Sequence, residues 1–185
     1  RFWDVSAGQV LLRGVDVRRL PLSALMAQIS MVFQNVYLFQ DTVFNNIAMG
    51  RPGATREEVY EAARKACCLG FVMRMPYGFD TMVGEGGTSL SGGEAQRVSI
   101  ARAILKDAPI VVLDEATASI DADNERHIQQ AMTELCRGKT TLVIAHKLPT
   151  IRNADRIAVV GDGQVLECGS HDELMALDGV YRRMV

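Results

Sequence analysis

The order of apolar and polar positions divides the chain into two regimes. Near the start, "GQVLLRGVDVRRL" alternates over a short span with Gly8 and Gly14 as punctuation, which predicts one or two strands before a helical turn at "LSALMAQ". The apolar run "ISMVF" follows and stops abruptly at Gln34. The next stretch, "QNVYLFQDTVFNNIAMGRPGAT", holds no sustained period and reads as loop-rich. Behind it, "TREEVYEAARKACCL" places Val59, Ala62, Ala63 and Ala66 at helical spacing after a Thr55/Glu58 capping box, so a helical insertion begins there.

From Pro109 the pattern changes to short buried runs separated by helical segments: "IVVLD", "ADNERHIQQAMTELC", "TTLVIAH" and "ADRIAVV". Continuous Val/Ile/Leu runs alternating with helices predict an α/β fold whose mostly parallel sheet is covered by helices on both faces. "VVGDGQVLECG" reads as a hairpin around Asp162 and Gly163, and "SHDELM" as a helix start with a Ser170/Glu173 capping box. With 185 residues and no internal repeat, one domain is expected.

Composition narrows the function classes. A formal net charge of -2, with 23% charged and 48% hydrophobic residues, gives no basic field for nucleic acid. No apolar run approaches the roughly 18 to 20 residues needed to cross a bilayer, so membrane contact is expected through a partner. "RFWDVSAGQV" lacks a signal-peptide pattern. Cys67, Cys68, Cys136 and Cys168 lack zinc-ligand spacing and read as reduced thiols of a cytosolic protein.

In open α/β sheets, ligands sit beyond the carboxyl ends of the strands, so the polar residues that follow each apolar run are the candidates. They are Gln34 after "ISMVF", Asp114 and Glu115 after "IVVL", and His146 after "LVIA". Adjacent carboxylates at a buried strand end ask for a compensating cation, which makes Asp114 a Mg²⁺-side ligand. Glu115 leaves the chain on the other side and can face a water. A loop carboxylate pair and a packed histidine are the alternatives for these residues taken singly.

"LSGGEAQRVSIARAIL", residues 90 to 105, reads as an amphipathic helix behind Ser91, Gly92 and Gly93, with Val98, Ala101, Ile104 and Leu105 on one side. Ser91 with Glu94 is a capping box, which explains those two residues without a ligand. It leaves the glycines unexplained, because each costs roughly 1 kcal/mol relative to alanine in a first helical turn. Close approach of an anion to free N–H groups at a helix N-terminus supplies the reason.

These residues resemble the nucleotide-binding domain of ATP-binding cassette (ABC) transporters. "LSGGEAQR" is similar to that family's signature motif, "IVVLDE" to its Walker B strand, Gln34 to its Q-loop, "SID" at 119–121 to its D-loop and His146 to its switch histidine. "TMVGEGG" is similar to the exporter X-loop and "LFQDTVFNNI" to the segment after the exporter Q-loop. Gly86 stands where that branch often carries a larger residue and Ile120 where leucine is commoner, so the resemblance marks Glu85 as an X-loop residue but leaves its contacts open.

The resemblance implies a RecA-like P-loop NTPase core, about residues 1–34 and 106–185, with an inserted α-helical subdomain at about 35–105. It implies ATP and Mg²⁺ as ligands, with Asp114 and Gln34 on the metal and Glu115, His146 and Gln34 as the catalytic set. Ser91, Gly92, Gly93, Glu94, Asp121 and Glu85 are the implied nucleotide-binding residues. The implied partners are a second nucleotide-binding domain, identical or not, and the transporter's membrane domains, at the cytoplasmic face of the cell membrane.

The only Gly-Lys-Thr, at 138–140, has Thr133 where a phosphate loop needs its first glycine and leads into a strand, so it is not a Walker A motif. The family places that loop ahead of the segment "RFWDVSAGQV" resembles, and the chain alone is therefore expected to lack ATPase activity. Two rival classes are a soluble ABC-type ATPase working on DNA or ribosomes, and a non-catalytic module that completes a partner's site. The exporter-like "TMVGEGG" and the lack of basic excess weigh against the first, and Glu115 with His146 against the second.

Overall fold

The computed structural model describes residues 3–84, 89–114, 122–145 and 151–185, the side chains of 122–124 excepted. Residues 1–142 form one compact unit and 143–185 a second.

The first unit opens with the antiparallel pair β1 (Leu11–Leu12) and β2 (Val15–Asp16), followed by α1 (Leu22–Ala27) and β3 (Ile29–Val32). The stretch read as loop-rich contains β4 (Asp41–Thr42) and α2 (Val43–Ala48). Six residues with two asparagines carry too little intrinsic preference to announce a helix. Tertiary burial supplies the difference: Val43, Asn46 and Ile47 are fully buried, and Thr42 caps the turn by accepting from Asn45 N at 3.0 Å.

Then come α3 (Arg56–Lys65), capped by the expected Thr55/Glu58 box, the short α4 (Leu69–Val72), β5 (Met82–Val83), which pairs with β4, and α5 (Gly92–Lys106). Val59, Ala62 and Ala63 face inward from α3. Small residues there let α3 lie close to α5, as they are too short to hold two helices apart.

The sheet consists of β3, β6 (Ile110–Asp114) and β7 (Thr140–Ile144) in the order β3-β6-β7, with α6 (Ala122–Cys136) between the last two in sequence. β3 and β6 run parallel with Val32 opposite Leu113. Alternation sorts their side chains: Ser30, Val32, Val111 and Leu113 are buried, and the apolar ones join Val98, Ile100 and Leu105 of α5 and Ile128 and Leu135 of α6 in one core. Met31 and Phe33 on the alternate face are 37% and 47% exposed.

In the second unit, β8 (Ile157–Gly161) pairs antiparallel with β9 (Gln164–Gly169). "ADRIAVV" therefore supplies the first strand of the expected hairpin. Asp162 (φ 48°) and Gly163 (φ 74°) both take the left-handed conformation that a two-residue hairpin turn of this twist requires. The Ser170/Glu173 box opens α7 (His171–Ala176), and α8 (Val180–Met184) closes the chain. Ile157, Val159, Leu174 and Tyr181 form this unit's own core. The Glu167 carboxylate accepts the backbone N–H groups of Val180 and Tyr181 at the start of α8. All four cysteines are free thiols.

Candidate functional site

The site begins with α5. Ser91 adopts an extended conformation as N-cap, its hydroxyl accepting from Glu94 N at 3.3 Å while the Glu94 carboxylate accepts from Ser91 N at 2.9 Å. This reciprocal pair uses two donors of the helix end and leaves the Gly92 and Gly93 N–H groups without intrahelical acceptors. A Cβ on Gly92 would meet no heavy atom within 4 Å. Packing within this chain therefore does not require that glycine.

The other end of α5 is fixed as firmly. Asp107 terminates it in the left-handed conformation, and Lys106 Nζ donates to Ile29 O of β3 at 2.6 Å. The expected apolar stripe holds for Val98, Ala101 and Leu105, with Ile104 half-buried, but Gln96, Arg97, Ile100 and Ala103 are buried too. Packing on several sides makes α5 a central helix, so the one-sided amphipathic reading was too narrow.

At the sheet edge, the parallel register brings two of the strand-end residues to one side. Val32 lies opposite Leu113, so Gln34 and the half-buried Asp114 leave β3 and β6 at the same edge. Phe33, the residue before the exposed Gln34, accepts through its carbonyl from Gln96 Nε2 of α5 at 3.4 Å. β7 starts beside β6, since Thr140 N donates to Pro109 O at 3.1 Å. Glu115, Asp121, His146 and Glu85 lie outside the described residues.

A carboxylate and an amide oxygen suit a hard cation such as Mg²⁺, which binds through one or two protein oxygens and keeps several waters. Asp114 and Gln34 supply that donor set. Among the described residues no group of three or more His, Cys, Asp or Glu could hold a metal by itself.

The residue reading passed over the polar groups that hold the Gln34 segment to α5. Arg102 donates from Nε to Asn46 O at 2.5 Å, from Nη1 to Tyr37 O at 2.8 Å and from Nη2 to Asn46 Oδ1, and its guanidinium lies 5.7 Å from the Phe39 ring centre. Asn46 donates from Nδ2 to the carbonyls of Phe39, Asp41 and Thr42 and accepts Phe39 N at Oδ1. An arginine between two buried alanines, Ala101 and Ala103, is the signal that was available, because a charge amid a buried helix needs partners.

Comparison with known proteins places these features. The family model described as ABC transporter matches residues 2–118. An ATP-dependent lipid A-core flippase of Syntrophus aciditrophicus is 53% identical over 184 residues, covering all of this chain and 31% of the flippase. The flippase of the same name from Vibrio cholerae is 51% identical, again over all of this chain and over 32% of its own length. A solved bacterial Atm1-family ABC exporter with ATP bound superposes with a TM-score of 0.91 at 44% identity, over 100% of this chain and 32% of that one. The chain thus spans about a third of the relatives it matches. With its RecA-like α/β architecture and the residues resembling the Q-loop, the signature and Walker B in that order along the chain, this chain belongs to the ABC transporter family, in the exporter-type branch.

Proposed function

We propose that the protein carrying this chain hydrolyses ATP to drive transport across a membrane, and that this chain is part of its nucleotide-binding domain. The observation that carries the reading is the end of α5: a helix capped by its own Ser91 and Glu94 that leaves the N–H of the exposed Gly92, and that of the buried Gly93 behind it, without intrahelical acceptors. Such an end holds a phosphate.

In this reading residues 1–34 and about 106–185 are the RecA-like core and about 35–105 the helical subdomain. Two nucleotide-binding domains, identical or not, meet head to tail. Ser91, Gly92, Gly93 and Glu94 of one then face the γ-phosphate of ATP bound to the other. Glu115 takes a proton from the attacking water, His146 contacts the γ-phosphate, Asp121 links the two sites and Glu85 lies in the X-loop. Asp114 and Gln34 hold Mg²⁺, which when bound offsets phosphate charge.

No helix among the described residues is long and apolar enough to cross a membrane. In this reading, which rests on the similarity to membrane exporters, the chain works with membrane domains at the cytoplasmic face of the bilayer. The similarity to lipid A-core flippases makes a lipid the first substrate class to test.

The test of the chemistry is Glu115→Gln in the intact protein. Steady-state hydrolysis is expected to fall by about 10²- to 10⁴-fold while ATP still binds. Unchanged hydrolysis overturns the general-base role. Flipping of a labelled lipid in proteoliposomes that requires ATP supports transport, and hydrolysis that moves no substrate argues for the soluble ATPase reading.

A further inference from the structure

The chain on either side of Gln34 is tied to α5 at two points. Gln96, 3% exposed, holds Phe33 O, and Arg102 holds Tyr37 O and Asn46 O. The two anchors are six residues apart on one helix, about 9 Å along its axis. Between them, the fully buried Asn46 spends its amide on the backbone of Phe39, Asp41 and Thr42, so the loop is gripped through its main chain.

The chemistry of this grip is more than packing. Arg102 is half-buried, its hydrogen bonds go to carbonyl and amide oxygens, and burial pushes its pKa down from the ordinary arginine value. A desolvated cation held by neutral oxygens is a costly way to fill space, and its forked donors instead fix two separated carbonyls in one orientation. At the far end of α2, a Cβ on Gly50 would run into the carbonyl oxygen of Arg102, so the α2 and α5 backbones are in direct contact there. On the outer side of the loop, Tyr37 and Phe39 form an edge-to-face pair at 5.0 Å and are 69% and 47% exposed.

We infer that Arg102 and Asn46 are positioning residues that make residues 37–46 and α5 a single mechanical element, so that movement of the phosphate-facing Ser91 end is delivered to the exposed Tyr37 and Phe39. This rests on the functional reading above, since α5 moves only if its N-terminus engages nucleotide. Arg102 touches no phosphate in this scheme. It sets how faithfully a phosphate event at one end of the helix is read at the loop.

The experiment is hydrogen–deuterium exchange on the full-length protein, with and without ATP, Mg²⁺ and vanadate, on wild type and Arg102→Lys. In the wild type, nucleotide slows exchange at residues 91–97 and 37–46 together, by about fivefold at each. Arg102→Lys keeps the charge and loses the fork: it retains the slowing at 91–97 and brings 37–46 to within about twofold of the nucleotide-free rate.

In the same variant, kcat and KM for ATP stay within about twofold, while substrate moved per ATP falls about fivefold. A purely structural role would lower hydrolysis and transport alike. Should Arg102→Lys fail to fold, Asn46→Ser is read by the same criteria. The inference is overturned by a wild type in which 91–97 responds and 37–46 does not, or by a folded variant that keeps both responses. A wild type that neither hydrolyses ATP nor responds at 91–97 overturns the functional reading itself, which is a separate outcome.

Discussion

At the scale of single residues, three helix starts are held by partners three positions apart in the chain. The boxes Thr55/Glu58, Ser91/Glu94 and Ser170/Glu173 all form, because a side chain three positions away needs no tertiary structure to find its donor. Arg102 was illegible for the opposite reason: its acceptor Asn46 is 56 positions away. Gly92 now allows a clean separation of ligand binding from folding. Its Cβ would have open space, so Gly92→Ala is expected to leave the melting temperature of the intact protein unchanged or raise stability by up to about 1 kcal/mol. Hydrolysis in the same variant should drop about tenfold or more, as a methyl group enters the space of the phosphate. A variant with lower stability and full hydrolysis would return that glycine to a structural role.

At the scale of elements, length decided legibility. α3, α5 and α6 show their period over ten to fifteen residues, whereas α2 has six and was hidden in an irregular stretch. Its existence depends on contact with α5, and Gly50 tests that dependence. Gly50→Ala forces a methyl group against the Arg102 carbonyl and is expected to destabilise the protein by about 1–3 kcal/mol, seen as a lowered denaturation midpoint.

The attachment of α8 is electrostatic at its start, and so depends on pH. The N–H groups of Tyr181 and Val180 hold the Glu167 carboxyl below its ordinary value of 4.5. A depressed folded value means stabilisation that is complete above the unfolded pKa and lost as pH falls through the folded one. The stability gap between wild type and Glu167→Gln should therefore be widest near neutrality and close as the solution is acidified below the glutamate range. A gap of constant size would show that the carboxylate charge plays no part.

At the scale of the whole molecule, the run of strand-end residues was legible because a parallel sheet sends successive strands to one edge, and Gln34 and Asp114 do share that edge. The hairpin "VVGDGQVLECG" was legible from its turn, because Asp162 and Gly163 are residues that take the left-handed conformation most readily, and the strands on either side do pair.

The cap on α5 has a kinetic consequence for the assembled protein. Because Ser91 and Glu94 complete the helix end with this chain's own atoms, nothing must fold when a phosphate arrives and nothing must unravel when it leaves. In the proposed head-to-tail dimer, engagement would then carry little ordering entropy at this helix end, leaving the duration of a cycle to bond cleavage and product release.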